Sequence, residues 1–126
     1  MRQSLDNGQT NLEFRTRLNN NFTELYGTLI NRTANFTIAL ADVQIFLNCT
    51  AASNLTITIP TNASVAVPVG NEIEFMQGGA GPLIFTAAAG VTLVSLLGRV
   101  TTSGQNAVCK LRKIATDTWV LSGDIA

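Results

Sequence analysis

Polar and apolar residues alternate along most of the chain, most clearly between residues 54 and 60. The segment NLTITIP places Leu55, Ile57 and Ile59 on one side and the intervening threonines on the other. This two-residue period is typical of a half-buried β-strand. Similar short runs, separated by turn-forming residues, continue to the end of the chain. The predicted strands are 36–40, 43–49, 54–60, 64–69, 72–76, 83–87, 91–97, 106–114 and 118–123, with a hairpin across 115–117.

This spacing of short strands predicts a mainly β fold, an antiparallel β-sandwich, jelly-roll-like domain or barrel. Beyond residue 33 no segment has the helical period that a crossover between parallel strands requires, so the pattern excludes a parallel α/β fold. Pro68 cannot donate a hydrogen bond to a strand ladder, and its run is therefore predicted at an edge or a strand end.

The N-terminal segment has a helical period instead. Thr10 followed by Glu13 matches a capping box, and apolar residues then recur at steps of three and four. Three consecutive asparagines weaken this helix, so it should need a surface to pack on. Either its own β domain or a symmetry mate or partner could supply that surface. The predicted helix face is Leu18, Phe22, Leu25 and Leu29.

These two periods divide the chain into two predicted parts. Residues 1–33 form an N-terminal arm that contains one amphipathic helix, and residues 34–126 form the β domain. The end of the arm, 31–33, is the predicted linker.

The composition narrows the possible chemistry. Charged residues make up 13% of the chain and balance at eight Lys and Arg against eight Asp and Glu, whereas about 25% is typical. The chain has no histidine, which excludes Ser-His-Asp catalysis and removes the commonest metal ligand. Cys49 and Cys109 lack zinc-site spacing and are predicted to be buried thiols, with a disulfide as the alternative. No cofactor or metal is expected.

The sequence also bears on membranes and nucleic acid. The N-terminus has no apolar stretch of a secretory signal, and no run of 18 apolar residues occurs. We therefore expect synthesis in a cytoplasm and no membrane span. Lys110, Arg112 and Lys113 form the one basic cluster. In a neutral chain this cluster is too small to predict nucleic-acid binding.

Two further motifs could carry chemistry. Glu72 and Glu74 lie two residues apart on a predicted strand, roughly 6.6 Å by the rise per residue, a separation known from inverting glycosidases. Because few large aromatic residues are available to bind a sugar, we interpret the two glutamates as a solvated face opposite buried Ile73 and Phe75.

The glycines at 78–81 precede Pro82 without a Walker lysine, and indicate a loop between strands. Trp119 is predicted in the core, and no active site is predicted.

Two blocks of the sequence resemble virion proteins of tailed bacteriophages. Residues 12–29, LEFRTRLNNNFTELYGTL, resemble the R-x-x-x-N-x-N-F-x-E-L-Y segment that precedes a β domain in many of them. Residues 56–93 and 110–126 together resemble a β module of phage tail fibres and head-decoration proteins, with P-x-G-x-x-I-x-F-x-Q, G-V-x-L and K-I-x-x-D-x-W-x-L-x-G motifs, and residues 31 to about 52 lie outside the resemblance. The matching residues are Pro68, Gly70, Ile73, Phe75, Gln77, Gly90, Val91, Leu93, Lys113, Ile114, Asp117, Trp119, Leu121 and Gly123.

The resemblance implies a structural protein and not an enzyme. Because the sequence shows no shaft repeats between the two blocks, it is more similar to a capsid decoration (cement) protein or short head fibre than to a long tail fibre. Such proteins form homotrimers on the capsid surface and clamp neighbouring subunits of the major capsid protein. The helix face would then contact the trimer or the shell. The alternative is a short tail-fibre or tail-tip adhesion protein that binds host surface glycans.

Overall fold

The structure, a computed structural model, describes residues 28–126, and these residues are mainly β. Nine strands are joined by turns and by two short 3-10 segments, Leu40–Asp42 and Leu96–Gly98. The strands are β1 (Leu29–Arg32), β2 (Phe36–Thr37), β3 (Phe46–Cys49), β4 (Leu55–Ile59), β5 (Glu72–Gln77), β6 (Leu83–Ala87), β7 (Thr92–Ser95), β8 (Val108–Ala115) and β9 (Thr118–Gly123).

The strands form one sheet of six and one sheet of three. The larger sheet has the order β1-β3-β5-β8-β9-β7, and the smaller has the order β2-β4-β6. From β1 to β6 the chain alternates between the sheets, and each strand pairs in parallel with the strand two places earlier. We call β1 to β6 the coil. Each turn of the coil consists of one strand from each sheet, and its three successive turns, β1–β2, β3–β4 and β5–β6, stack on one another.

This pairing corrects the prediction of antiparallel sheets. Antiparallel pairing occurs at β5–β8 and β8–β9, whereas the other five strand pairs of the described residues are parallel. A parallel pair needs a crossover of about a dozen residues or more. In the coil that crossover is a strand of the opposite sheet with its flanking turns, so no helix is required.

One apolar core lies where the inward residues of both sheets meet. The alternation in β4 and β5 buries Leu55, Ile57 and Ile59 on one strand and Ile73 and Phe75 on the other. The Phe75 ring packs edge-on against Phe85 of β6 at a centroid distance of 5.1 Å. Trp119 is also buried, as predicted. The core therefore joins the two sheets through large side chains.

The last third of the described chain packs along the final turn of the coil, against β5 and β6. The predicted hairpin is present, since β8 and β9 are antiparallel neighbours joined at Ala115 and Thr118. β8 also pairs with β5 and so continues the larger sheet. The edge of β6 is covered as well, because Phe85 N donates to Val100 O and Thr102 N donates to Leu83 O. Among the described residues, the strands at the free edges are β1 and β7 in the larger sheet and β2 in the smaller one.

Several segments differ from their predicted structure. The predicted strand 36–40 ends at Thr37 and the predicted strand 43–49 begins at Phe46, with the 3-10 segment Leu40–Asp42 between them. Leu29 lies in β1 rather than on a helix, and the predicted linker overlaps that strand; Leu18, Phe22 and Leu25 lie outside the described residues. The run 64–69 is not a strand, because turns and Pro68 interrupt it, although Val67 is buried. The predicted strand 91–97 ends at Ser95 and gives way to the 3-10 segment.

Candidate interaction surface

The middle of the larger sheet carries an ion-paired cluster on its outer face. Glu72 accepts a hydrogen bond from Arg112 and lies 3.4 Å from the Lys110 amine. Glu74 stands opposite Lys110 across the β5–β8 pair. The predicted outward face is therefore confirmed, with Ile73 and Phe75 buried behind it. With its carboxylate engaged by two cations, Glu72 is a structural ion-pair partner in this geometry.

Lys113 departs from the basic cluster predicted from the sequence. Strand alternation directs it inward with Cys109 and Leu111, and only 1% of its surface is exposed. Its amine contacts Asn62 and the Val67 carbonyl and lies 5.9 Å from the centre of the Trp119 ring. A period-two analysis of 106–114 could have placed Lys113 inside, but its charge and its neighbours in sequence suggested a surface residue.

The most exposed apolar surface of the described residues is the 3-10 segment Leu96–Gly98, which we call the leucine turn. Leu96 is 71% exposed and Leu97 is 75% exposed. Leu97 has a φ of 57°, a left-handed conformation that is uncommon for residues other than glycine, asparagine and aspartate. The following glycine could have indicated a turn, but the mostly apolar, β-branched run 91–97 predicted a strand.

A largely apolar hollow adjoins the leucine turn. It has a volume of about 520 Å³ and is formed along β7 and β9, where β7 is a free edge of the larger sheet. Among the residues that line it are Val94, Leu96, Val120, Leu121 and Ile125, and its one cationic side chain is Arg99. The exposed leucines and the apolar hollow thus lie side by side at the β7 edge of the larger sheet.

A second hollow lies at the opposite edge, where the described chain begins. It has a volume of about 440 Å³ and includes Thr28, Leu29 and Phe46 on one side and Glu72 and Glu74 on the other. Leu29, the one predicted helix-face residue that the structure describes, is 53% exposed here. The sheet therefore presents apolar side chains near both of its free edges.

The glycine-rich connection, residues 78–82, is a turn between β5 and β6, as predicted, and we call it the glycine turn. Its amides are used within the fold: Gly78 N donates to Cys49 O at 2.8 Å, and Gly81 N donates to Ala51 O at 3.0 Å. A Cβ atom on Gly81 would lie 1.8 Å from Ser53 O. The turn is thus packed against the preceding turn of the coil, and these two amides are not directed at an anion.

Beneath the glycine turn lies a buried polar network. Gln77 Nε2 donates to Gly79 O at 3.2 Å, while Gln77 Oε1 accepts a hydrogen bond of 2.5 Å from Thr102 Oγ1. The same hydroxyl accepts from Leu83 N at 2.8 Å. One threonine therefore links the start of β6 to the side chain that supports the turn.

Both cysteines are buried free thiols, as predicted. They lie on β3 and β8, which are separated by β5. Two strand spacings amount to about 9.6 Å, beyond the Cα separation that a disulfide spans. Burial raises the pKa of the Cys49 thiol to about 11 and that of the Cys109 thiol to about 12. Neither thiol is therefore a nucleophile near neutral pH in the folded chain.

Residues 28–126 contain no group of three His, Cys, Asp or Glu side chains arranged to hold a metal ion. Within the same residues no helix is both long and apolar enough to span a membrane. Comparison with protein-family models, with curated proteins and with solved structures gave no match. The resemblance to phage virion proteins therefore depends on the two sequence blocks alone.

Proposed function

We propose that this chain is a structural virion protein of a tailed bacteriophage, a capsid decoration (cement) protein that trimerises on the head and stabilises it. The observation that carries the proposal is the exposed leucine turn beside an apolar hollow. In this proposal the two sheets form a sandwich-like body, and each body contacts its neighbours through such apolar edges.

The exposed apolar edge supports association because water is a poor solvent for it. Contiguous apolar patches on a surface commonly mark sites of protein contact. The chain has a formal net charge of zero, so copies of it do not repel one another strongly. Leu97 and the hollow lined by Val94 and Val120 offer a projection and a recess on one edge. Contact between successive copies through such unlike features generates a closed ring where the rotation between copies closes, as it does in a trimer.

The arm contributes the second contact in this proposal. Its predicted helix residues Leu18, Phe22 and Leu25 dock on the trimer or on the major capsid protein, and Leu29 follows them in β1. Leu29 lies at the hollow of about 440 Å³ where the described chain begins, which supports docking near that edge. Binding only to the assembled shell stabilises the shell by mass action. The protein thereby acts at the capsid surface after synthesis in the bacterial cytoplasm.

Immunogold electron microscopy tests the location. Antibody raised against the chain is applied to intact particles of the phage that encodes it, with preimmune serum as the control. Gold distributed over the head is expected. Gold confined to the tail would contradict decoration and favour the second candidate, and unlabelled particles would contradict both.

The second candidate is a short tail-fibre or tail-tip adhesion protein that binds host surface glycans. A polar hollow of about 230 Å³ favours it, lined by Ser103, Gln105, Asn106 and Asp124 among others. Hydroxyl, amide and carboxylate groups of this kind can hydrogen-bond to sugar hydroxyls. Saturable binding of the isolated protein to host-cell polysaccharide, reduced in Asp124→Ala and kept in Asp117→Ala, would support this candidate.

A further inference from the structure

A lysine amine and an asparagine side-chain amide are in direct contact inside the β domain. Lys113 Nζ lies 2.5 Å from Asn62 Oδ1, and Lys113 is 1% exposed. Because a carbonyl bond is about 1.23 Å long, the amide carbon lies within about 3.7 Å of the nitrogen. That bound is close to the separation of about 3–3.5 Å from which reacting atoms attack.

The surroundings hold both groups in this position. The Lys113 amine donates a second hydrogen bond, of 2.8 Å, to Val67 O and lies near the Trp119 ring. Asn62 is fixed through its backbone, because its N–H donates to Asp117 Oδ1 at 2.8 Å. None of the ion pairs found among residues 28–126 includes Lys113. The amine therefore faces neutral carbonyl groups instead of the carboxylate that commonly accompanies a buried lysine.

We propose that Lys113 and Asn62 react to form an intramolecular isopeptide cross-link. The Nζ lone pair of the neutral amine attacks Cγ of Asn62, and a new C–N bond forms. The bond from Cγ to the side-chain amide nitrogen breaks, a proton passes from Nζ to that nitrogen, and one molecule of ammonia leaves. No oxidation or co-reactant is involved, and the product is a secondary amide between the two side chains.

The cross-link would add a covalent bond between two parts of the fold that hydrogen bonds and core packing otherwise connect. Asn62 lies in the connection from β4 to β5, and Lys113 lies in β8, 51 positions further along the chain. A covalent bond between them closes that intervening chain into a loop and reduces the conformational freedom of the unfolded state, as a disulfide does. The hairpin β8–β9 would remain tethered to the coil even in denaturant.

Intact-mass spectrometry of the purified full chain in denaturing solvent tests the proposal directly. We expect a mass lower than the sequence mass by one ammonia molecule. A proteolytic digest should contain a branched peptide that joins Asn62 to Lys113, with no cleavage by trypsin after Lys113. A mass equal to that of the sequence would overturn the proposal without recourse to any variant.

Two lysine variants exclude the other source of ammonia loss, a cyclic imide at an asparagine. Lys113→Met should restore the full sequence mass, whereas Lys110→Met, on the outer face of the same strand, should keep the deficit. If the deficit persists in Lys113→Met, the loss comes from a cyclic imide and the cross-link is refuted. The branched peptide in the parent chain decides the matter even if Lys113→Met fails to fold.

Discussion

The glycine turn and the leucine turn are both short connections at strand ends, yet they face opposite environments. The glycine turn lies against the preceding turn of the coil so closely that Gly81 has no room for a side chain. The leucine turn exposes Leu96 and Leu97 to solvent and holds Leu97 in a backbone conformation that suits glycine or asparagine. Glycine thus occupies the packed turn and leucine the exposed one, although a left-handed exposed position usually favours glycine.

This contrast distinguishes a residue that packing within the fold explains from a residue that such packing does not explain. Gly81 is explained by the chain itself, because the backbone of Ser53 occupies the space that a side chain would fill. Leu97 has no such explanation, since its exposed side chain adds little to the core and its backbone conformation costs energy. The glycine turn is therefore explained by folding, whereas the leucine turn is the surface that the proposed assembly would use.

The largest expected effect comes from Gly81→Ala. The added methyl group would overlap Ser53 O, and overpacking of this kind should lower the free energy of unfolding by about 3 kcal/mol or more. Gly104→Ala is the matched control, because nothing lies within 4 Å of its Cβ position, and should change stability by less than about 0.5 kcal/mol. Urea unfolding measures both; equal effects would disprove the close packing of the glycine turn.

A smaller loss is expected from Thr102→Val, which removes the hydroxyl beneath the glycine turn. Leu83 N and Gln77 Oε1 would lose their shared partner, and unsatisfied buried groups cost about 1–3 kcal/mol in unfolding free energy. Thr102→Ser keeps the hydroxyl and should retain most of the stability. If Ser destabilised the protein as much as Val, the methyl group and not the hydrogen bonds would be important.

The pH dependence of stability tests the burial of the two thiols, Cys49 and Cys109. Burial raises the pKa of Cys49 to about 11 from its ordinary 9.0, and desolvation likewise raises that of Cys109 to about 12. The unfolded chain thus loses thiol protons above pH 9.0 that the folded chain keeps. This contribution to stability is complete below that pH and declines as the pH rises toward the folded values.

The measurement is the free energy of unfolding at a pH of about 8 and of about 10, in the parent chain and in Cys109→Ala. The parent should lose more stability between the two conditions, because the variant lacks one of the titrating thiols. An identical loss in both proteins would show that Cys109 does not titrate differently in the folded state.

The smallest effect on stability, and the sharpest on association, is expected from Leu97→Asn. Asparagine tolerates the left-handed conformation, so the free energy of unfolding should stay within about 0.5 kcal/mol. Loss of the projecting apolar side chain should reduce the oligomer population, measured by light scattering coupled to size-exclusion chromatography. Leu40→Asn, exposed on the other 3-10 segment, is the control, and equal weakening by both would refute a specific role for the leucine turn.

The alternation of polar and apolar residues predicted strand positions and buried faces, because these properties depend on each strand alone. The strand Leu83–Ala87 was predicted with its observed bounds, and the alternation around Ile73 and Phe75 gave the correct buried face. The pairing partners could not be predicted in this way, because a strand's period does not say which strand lies beside it. Parallel neighbours in the coil are 17 or more residues apart, as at Leu29 and Phe46.

The candidate surface was less predictable for a related reason. Exposure of Leu97 depends on how the chain leaves the sheet after Ser95, and the apolar run gave no indication of this. Burial of Lys113 depends on Asn62 and Val67 approaching from a distant connection. Both properties arise from tertiary contacts, whereas sequence periodicity reports the local environment.

The coil has unequal corners. Where the chain passes from the larger sheet to the smaller one, two connections of five residues, 50–54 and 78–82, stack on each other. On the return side the connections differ in length, with eight residues at 38–45 and twelve at 60–71. One side of the molecule therefore fixes the step between successive turns, while the other accommodates connections of unequal length. A foreign epitope for display would be inserted there at exposed residues such as 68–70, away from buried Ile38, Asp42 and Val67.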